Sequence, residues 1–565
     1  MSRIGVFVCH CGINVAGTVD VERVAEEIDH YPGVVYATDY KYMCSDPGQQ
    51  LLQEAIEEHR LDGVIVAACS PAMHEATFRR AGAKAGLNPY RFESANIREQ
   101  CSWVHEGDTE RATEKAIEIV RTLVEKVKRD DEMAPFHLPL TKRALVIGGG
   151  IAGMQAALDV ADAGFPVVLV EREGRLGGKM ARLSGTYLNF EAAPDLLEQK
   201  IEQVLEHPNI QVLTNAQVVE VEGYVGNFDV KVSQLDKPET FEIGAIVMAT
   251  GWDPYPLDRL SEYGGGATPD VVDGLTFEEM LRSGNGLRRP SDGRAPQEVV
   301  FVQCAGSRDP ERGVPYCSKV CCMYVPKMAR MFKERVPEGQ AYVFYIDIRS
   351  AGKGYDEYVQ QAMEDYDVLY LRGKVSKIFR DGDKVIVWGV DTLGGQQLEV
   401  AADLVVLATP MMPGDQTTEL AQTVRAGVGE NGFFSEAHPK LRPVESLTAG
   451  VFLAGAAQGP KDIPESVSQA SGAAAKVLQL FSLDQMVQEP TVAYVIEEIC
   501  SGCGACVGVC PYEARELHPV RGIAVVNAAL CQNCGACVVA CPNKASQIHN
   551  WTPEQILAMA DAVSW

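Results

Sequence analysis

Two cysteine runs near the C-terminus constrain this chain more than any other feature. Cys500, Cys503, Cys506 and Cys510 precede Pro511, and the same spacing returns as Cys531, Cys534, Cys537 and Cys541 before Pro542. Three thiolates at this spacing can curl a short loop around one [4Fe–4S] cube, while the fourth, ahead of proline, swings to the neighbouring cube. One cluster is then held by Cys500, Cys503, Cys506 and Cys541, and the other by Cys531, Cys534, Cys537 and Cys510. So small a segment cannot build much of an apolar core, and clusters take its place. Structural zinc and a disulfide framework are the competing readings of paired CxxC, but two identical runs favour clusters and one-electron transfer.

The rest of the composition narrows the class. A chain of 565 residues has room for three or four domains. No apolar run approaches the roughly 18 residues of a spanning helix, so no transmembrane segment is expected. The first ten residues lead directly into an apolar strand pattern without a basic region and cleavable apolar stretch, which points to a cytoplasmic compartment. Seventeen cysteines gathered in ligand-like groups favour thiolate–metal chemistry over disulfides. A net charge of −26 argues against nucleic acid as a partner; it serves solubility, or steers basic patches on protein partners.

From Lys142 the chain reads KRALVIGGGIAGMQAALDVADAGFPVVLVERE, a βαβ unit. Gly148 permits the tight turn, Gly150 lets backbone amides approach a pyrophosphate, Gly153 packs helix on strand, and Glu171 can accept from ribose hydroxyls. Ile151, Ala152, Arg172, Gly178 and Lys179 complete the candidate set around this turn. FAD is favoured over NAD because two further segments resemble the two-dinucleotide-binding flavoproteins that include thioredoxin reductase. One strand ends in Ala249, Thr250 and Gly251; another, Gly450 to Gly455, leads in that class to the flavin ribityl chain. The class has an aspartate after that glycine, whereas this chain has Ala456, and Asp462 is the possible stand-in. The strand Val299 to Val302 lacks the second glycine fingerprint of a nicotinamide lobe and runs into Gln303 and Cys304 instead.

Two more cysteine groups follow. Cys304, Cys317, Cys321 and Cys322 fall within nineteen residues, near the strand end where a nicotinamide would otherwise sit, and suggest a further cluster; buried apolar cysteines are the plainer alternative. In the first 130 residues, Cys9, Cys11, Cys44, Cys69 and Cys101 lie mostly at the ends of apolar strands such as IGVFVC and DGVIVAAC. Strand ends share one edge of a parallel α/β sheet, so these five could hold one cluster with one thiol to spare. His10, His74 and His105 lie nearby but read as surface or helix-end residues.

Taken together, the chain resembles the HdrA family of heterodisulfide reductase components, in its shorter, bacterial form. The resemblance is carried by Val8-Cys-His-Cys-Gly12, Tyr42-Met-Cys-Ser-Asp-Pro47, Ala68-Cys-Ser-Pro71, Asn96-Ile-Arg-Glu99 with Cys101, the glycine turn, Gln303-Cys to Arg308-Asp, Tyr316-Cys with Cys321-Cys322, and the paired C-terminal runs. It implies an FAD and iron–sulfur protein, a homodimer within a larger complex, that splits electron pairs between ferredoxin and a higher-potential acceptor. Its partners would be HdrB/HdrC-like and MvhD-like or NADH-dehydrogenase-like subunits. The chain departs from longer archaeal members in having no cysteine between residues 180 and 300, and so no inserted second ferredoxin module. The resemblance also places Lys353 near flavin N5, where an ammonium would stabilise reduced flavin charge; a surface lysine on a glycine-rich loop is the equal alternative.

The expected architecture is α/β throughout. It comprises an N-terminal α/β iron–sulfur domain (1–135), a thioredoxin-reductase-like two-lobed, Rossmann-like FAD domain (136–488), a ferredoxin-like α+β domain with two [4Fe–4S] clusters (489–550) and a helical tail (551–565). Within the FAD domain the nucleotide fold spans 142–252 and 402–482 around an inserted lobe, 253–401. The expected cofactors are one FAD, two C-terminal clusters, one N-terminal cluster and one in the FAD domain. Three cluster ports on one flavin permit electron bifurcation. The rivals are an electron-wiring scaffold that does not bifurcate and an NAD(P)H-dependent oxidoreductase like the glutamate synthase small subunit.

Overall fold

The computed structural model describes residues 2–283 and 286–563; the last two residues of the expected tail lie outside the described residues. The chain divides into two compact units, one made of the segments up to 138 and from 487, the other of 139 to 486.

In the first unit, four parallel strands lie in the spatial order Val34–Tyr40, Ile4–Cys9, Gly63–Ala68, Phe92–Asn96. The central two are the runs IGVFVC and GVIVAA, buried along their whole length, as a sheet covered by helices on both faces requires. Helix starts follow local signals. Asp20, Ser45 and Asp108 accept from the Arg23, Gly48 and Arg111 amides ahead of Val21–Asp29, Asp46–His59 and Thr109–Val127, satisfying donors the helices cannot.

The C-terminal segment of this unit is a pseudo-symmetric pair. Ala493–Val495 pairs antiparallel with Ser546–Ile548, and Arg515–Leu517 with Ala524–Val526. Each cysteine run winds into one turn of helix, Ala505–Gly508 or Ala536–Val539, entered through Gly504 or Gly535 at φ +76°, a conformation open to glycine at little cost. Beyond it, the helix Pro553–Asp561 packs on Thr109–Val127. The buried Lys126 there bonds Glu93 and Asp130 and sits over the Trp551 ring, while Gln555 donates to Asp130 and Asn550 bonds the Asp131 backbone. Segments that the sequence alone sets apart as separate domains thus share one packed unit.

The second unit holds two α/β lobes. In the first, parallel strands run Val451–Leu453, Ala245–Met248, Ala144–Ile147, Val167–Val170, Ile210–Leu213 in spatial order. Helices Ile151–Asp162 and Ile463–Phe481 pack on one face, and a three-stranded antiparallel sheet from Ala216 to Ile243 covers the other. The second lobe has five parallel strands, Val271–Asp273, Leu404–Leu407, Glu298–Val302, Gln340–Tyr345 and Leu369–Arg372. Leu404–Leu407, expected in the nucleotide fold, therefore belongs to the inserted lobe. A four-residue apolar strand carries no mark of which parallel sheet it joins. The return crossing lies further on, where Met411–Met412 pairs antiparallel with Asp253–Pro254. No helix among the described residues is long and apolar enough to cross a membrane.

Candidate functional site

The glycine turn joins the strand Ala144–Ile147 to the helix Ile151–Asp162. Gly148 has φ +111°, and a Cβ there would lie 2.3 Å from the Ala249 carbonyl oxygen. A Cβ on Gly153 would fall 1.8 Å from the Gly148 carbonyl oxygen, so helix and strand meet without room for a methyl group. Gly150 and Gly251, in contrast, face open space, with no atom within 4 Å of an added Cβ. Beside them the Thr250 hydroxyl is buried without a hydrogen-bond partner. Open space at a helix N-terminus, lined by glycine and next to an unsatisfied hydroxyl, fits a dinucleotide pyrophosphate.

The other residues of this set are held by defined partners. Glu171 accepts the Gly149 and Glu173 amides at 2.6 and 2.8 Å. Arg172 bonds Asp415, and Lys179 bonds Asp253 at 2.8 Å, just after Gly177 and Gly178 turn the chain at positive φ. Gly455 is pressed against Ala152 in the first turn of the helix. Asp462 caps Ile463–Phe481 by accepting the Glu465 amide, and its second oxygen accepts from the Tyr187 and Tyr355 hydroxyls at 2.7 and 2.8 Å. Burial first, and then Asp462, pushes the Tyr355 hydroxyl up to about 12, so both phenols stay protonated as donors. Lys353 itself is exposed, two residues from Tyr355. Lys461, absent from the candidates that the sequence offers, adjoins the Asp462 cap; burial depresses its ammonium to about 8, and it donates to Gln458. Its only signal in the sequence is its place directly before Asp462.

Three of the four central thiols meet at the end of the strand Glu298–Val302. Cys304 follows it at φ +58°, and Cys321 and Cys322 open the helix Cys321–Arg335. The Cys321 thiol, with Arg308 assisting against burial, holds Cys304 down at about 7. Cys321, between Cys304 and Cys322, is raised by hydrogen bonds to both and by burial. Cys317 accepts the Lys319 amide in the preceding loop. Cys322 donates to the side-chain Oε1 of Gln303, and the Nε2 of the same side chain is buried with nothing to donate to; an unsatisfied donor beside three thiols fits an iron–sulfur group. Val320, immediately before Cys321, packs with Met411, Ala456 and Trp252, which brings the thiol loop onto the segment following Gly455.

The C-terminal runs line two small cavities, one lined by Cys531, Cys534, Cys537 and Cys510, the other by Cys500, Cys503, Cys506 and Cys541. The structure therefore gathers each crossed set of four thiols around one hollow. The Ala493 and Ala524 amides point at the Cys531 and Cys500 sulfurs, donors of the kind that bind and tune clusters.

In the N-terminal sheet, Cys9 lies within electrostatic reach of Cys11, Cys44 and Cys69 at the strand ends, and Cys69 also within reach of Cys11. Burial pushes the Cys69 thiol up to about 11, Arg98 opposing and Cys11 and Cys9 adding, and Arg98 also donates to the Cys11 sulfur. Cys101 is turned the other way. It is fully buried, donates to the Ala112 carbonyl at 3.0 Å and packs among Ile97, Ala112 and Ala116.

A cradled nucleotide turn joined to paired four-thiol cavities defines an oxidoreductase that carries FAD and [4Fe–4S] clusters. Residues 142–288 match the pyridine nucleotide-disulphide oxidoreductase family, and 489–549 match the 4Fe-4S dicluster domain. Among curated proteins, the second A-type iron-sulfur component of the CoB–CoM heterodisulfide reductase of Methanopyrus kandleri is 42% identical, covering 91% of each chain. The A-type component of the H(2):CoB-CoM heterodisulfide,ferredoxin reductase of Methanothermobacter thermautotrophicus is 40% identical, covering 99% of this chain and 97% of its own. The chain belongs to this HdrA family of heterodisulfide reductase components. Among solved structures, the thioredoxin reductase of T. acidophilum aligns with 61% of this chain and all of its own at 18% identity, with a TM-score of 0.43.

Proposed function

We propose that this chain is the flavin subunit of a heterodisulfide-reductase-like complex and performs electron bifurcation, or its reverse, between ferredoxin and partner subunits. The observation that carries the reading is the contact of the Cys321 loop, through Val320, with Ala456 in the flavin segment. Thiols occupy the strand end where a pyridine nucleotide would otherwise dock. FAD, when bound, exchanges electron pairs with single electrons; the chain's own residues provide its cradle and the routes away from it.

Gly150, Gly251 and Thr250 receive the pyrophosphate. Tyr187, Tyr355 and Asp462 lock the loop that carries Lys353 against the cap of the helix Ile463–Phe481. Cys304, Cys321 and Cys322, with Cys317, form the first port; Cys9, Cys11, Cys44 and Cys69 the second; the two C-terminal cavities the third. Ile13, Tyr42, Met73 and Trp103 stand exposed around the N-terminal thiols, an apolar surface suited to a partner protein. The names of the relatives, which couple heterodisulfide and ferredoxin, support the assignment of ferredoxin as one partner.

The helix at Cys321 begins well beyond the end of the strand Glu298–Val302, so the lobe lacks the tight glycine turn of an NAD(P)H site. Anaerobically prepared protein should contain one FAD and iron for about four cubanes, stay oxidised with NADH or NADPH, and show crossed one-electron flavin potentials. Ordered potentials would leave a simple electron relay, and reduction by either nucleotide would overturn the reading.

A further inference from the structure

The two halves of the C-terminal segment are repeats, and among the positions buried in both they differ at one. CPYEAR and CPNKAS align so that Arg515 corresponds to Ser546. Both are buried, at 4% and 2% exposure, and they bond each other across the pseudo-symmetry: Arg515 Nη2 donates to the Ser546 hydroxyl. The same nitrogen donates to the Cys537 sulfur at 3.0 Å. Arg515 also lines the cavity of Cys510, Cys531, Cys534 and Cys537, whereas Ser546 lines the other. Its second terminal nitrogen, Nη1, is buried without a partner. A guanidinium is costly to bury unless a negative group faces it, and a thiolate-ligated iron–sulfur cube is such a group.

We propose that Arg515 makes the two C-terminal clusters unequal, raising the reduction potential of the one held by Cys531, Cys534, Cys537 and Cys510, so that an electron entering this segment settles there. The inference rests on the ligand assignment proposed above. Hydrogen bonds to sulfur and local positive charge are what set cluster potentials. The N–H···S bond reaches only one of the two thiol sets. The charge also acts on Cys506 of the other set, so both potentials rise, and the directly bonded cluster rises more. A buried arginine where the repeat has serine thus gives the pair a direction.

The test is a potentiometric titration of the anaerobic full-length protein with dithionite and mediators, followed by electron paramagnetic resonance, beside Arg515→Gln with matched iron content. One reduction step should become at least tenfold harder to populate in the variant, 59 mV for a one-electron couple, while the remaining steps move less. Unmoved steps at full iron content overturn the proposal. Should the variant lose iron, the unmodified chain decides: protein labelled with ¹⁵N-arginine should show a weak nitrogen coupling to one reduced cluster, and no such coupling overturns it. Absence of reduced [4Fe–4S] signals from the unmodified chain would instead refute the cluster assignment beneath it.

Discussion

Gly150→Ala separates the fold of the nucleotide turn from its cofactor more sharply than any other substitution. The residue sits at φ −77° and ψ −177°, a backbone that alanine adopts freely, and an added Cβ meets no protein atom within 4 Å. The change should leave the protein without flavin as stable as before, or about 0.4–1 kcal/mol more stable through a less mobile unfolded chain. The methyl group would, however, project into the space assigned to the pyrophosphate. Overpacking of this kind costs about 1–3 kcal/mol, a loss of about 5- to 150-fold in affinity. Gly153→Ala is the control, because its Cβ would lie 1.8 Å from the Gly148 carbonyl oxygen and the fold itself must give. Flavin is stripped, the melting temperature of the stripped protein recorded, and FAD rebound by fluorescence titration. Wild-type affinity in Gly150→Ala, or a melting temperature that falls as far as in Gly153→Ala, would refute the argument that this glycine is spared for a ligand rather than for packing.

Three further outcomes are expected. Cys69→Ser should remove the iron of one cluster while Cys101→Ser leaves iron content unchanged, measured as iron per chain; equal loss would put Cys101 among the ligands. Lys126→Met should destabilise the first unit by about 3–5 kcal/mol, since it strands the Glu93 and Asp130 carboxylates; Lys126→Met with Asp130→Leu should regain most of this in denaturant melts, and failure to do so would show that the charges are not coupled. Burial, opposed by Lys126, pushes the Asp130 carboxyl up to about 6, whereas it titrates near 3.9 unfolded. The folded state therefore keeps a proton that the unfolded state loses, and this group's contribution falls by about 3 kcal/mol as pH rises from about 4 to 6. Asp130→Asn should flatten the melting-temperature profile over that window, and an unaltered slope would assign it to another group.

What the sequence made legible was whatever depends on short spacing. The crossed cysteine sets around the two C-terminal cavities follow from loops a few residues long, and the buried strands IGVFVC and GVIVAA from unbroken apolar runs. What it hid depends on which neighbour a residue meets. Leu404–Leu407 reads the same in either parallel sheet. Cys101 looks like its four companions until the helix Thr109–Val127 closes over it. Asp462 appears as an available acceptor, yet two tyrosines distant in sequence engage it. Arg515 could have been found by aligning the repeats, where a charged residue stands opposite a small one, but nothing local shows that it is buried.

The packing of the helix Pro553–Asp561 against Thr109–Val127 bears on how the molecule is made. Gln555 reaches Asp130 across 425 positions of chain, so during synthesis the Lys126 ion pairs with Glu93 and Asp130 wait for their cover of Gln555 and Trp551 while the entire flavin-binding half emerges. Translation must pass Gln555 before the first unit can close. A nascent chain halted before that point would leave Lys126 and Asp130 without the cover of Trp551 and Gln555.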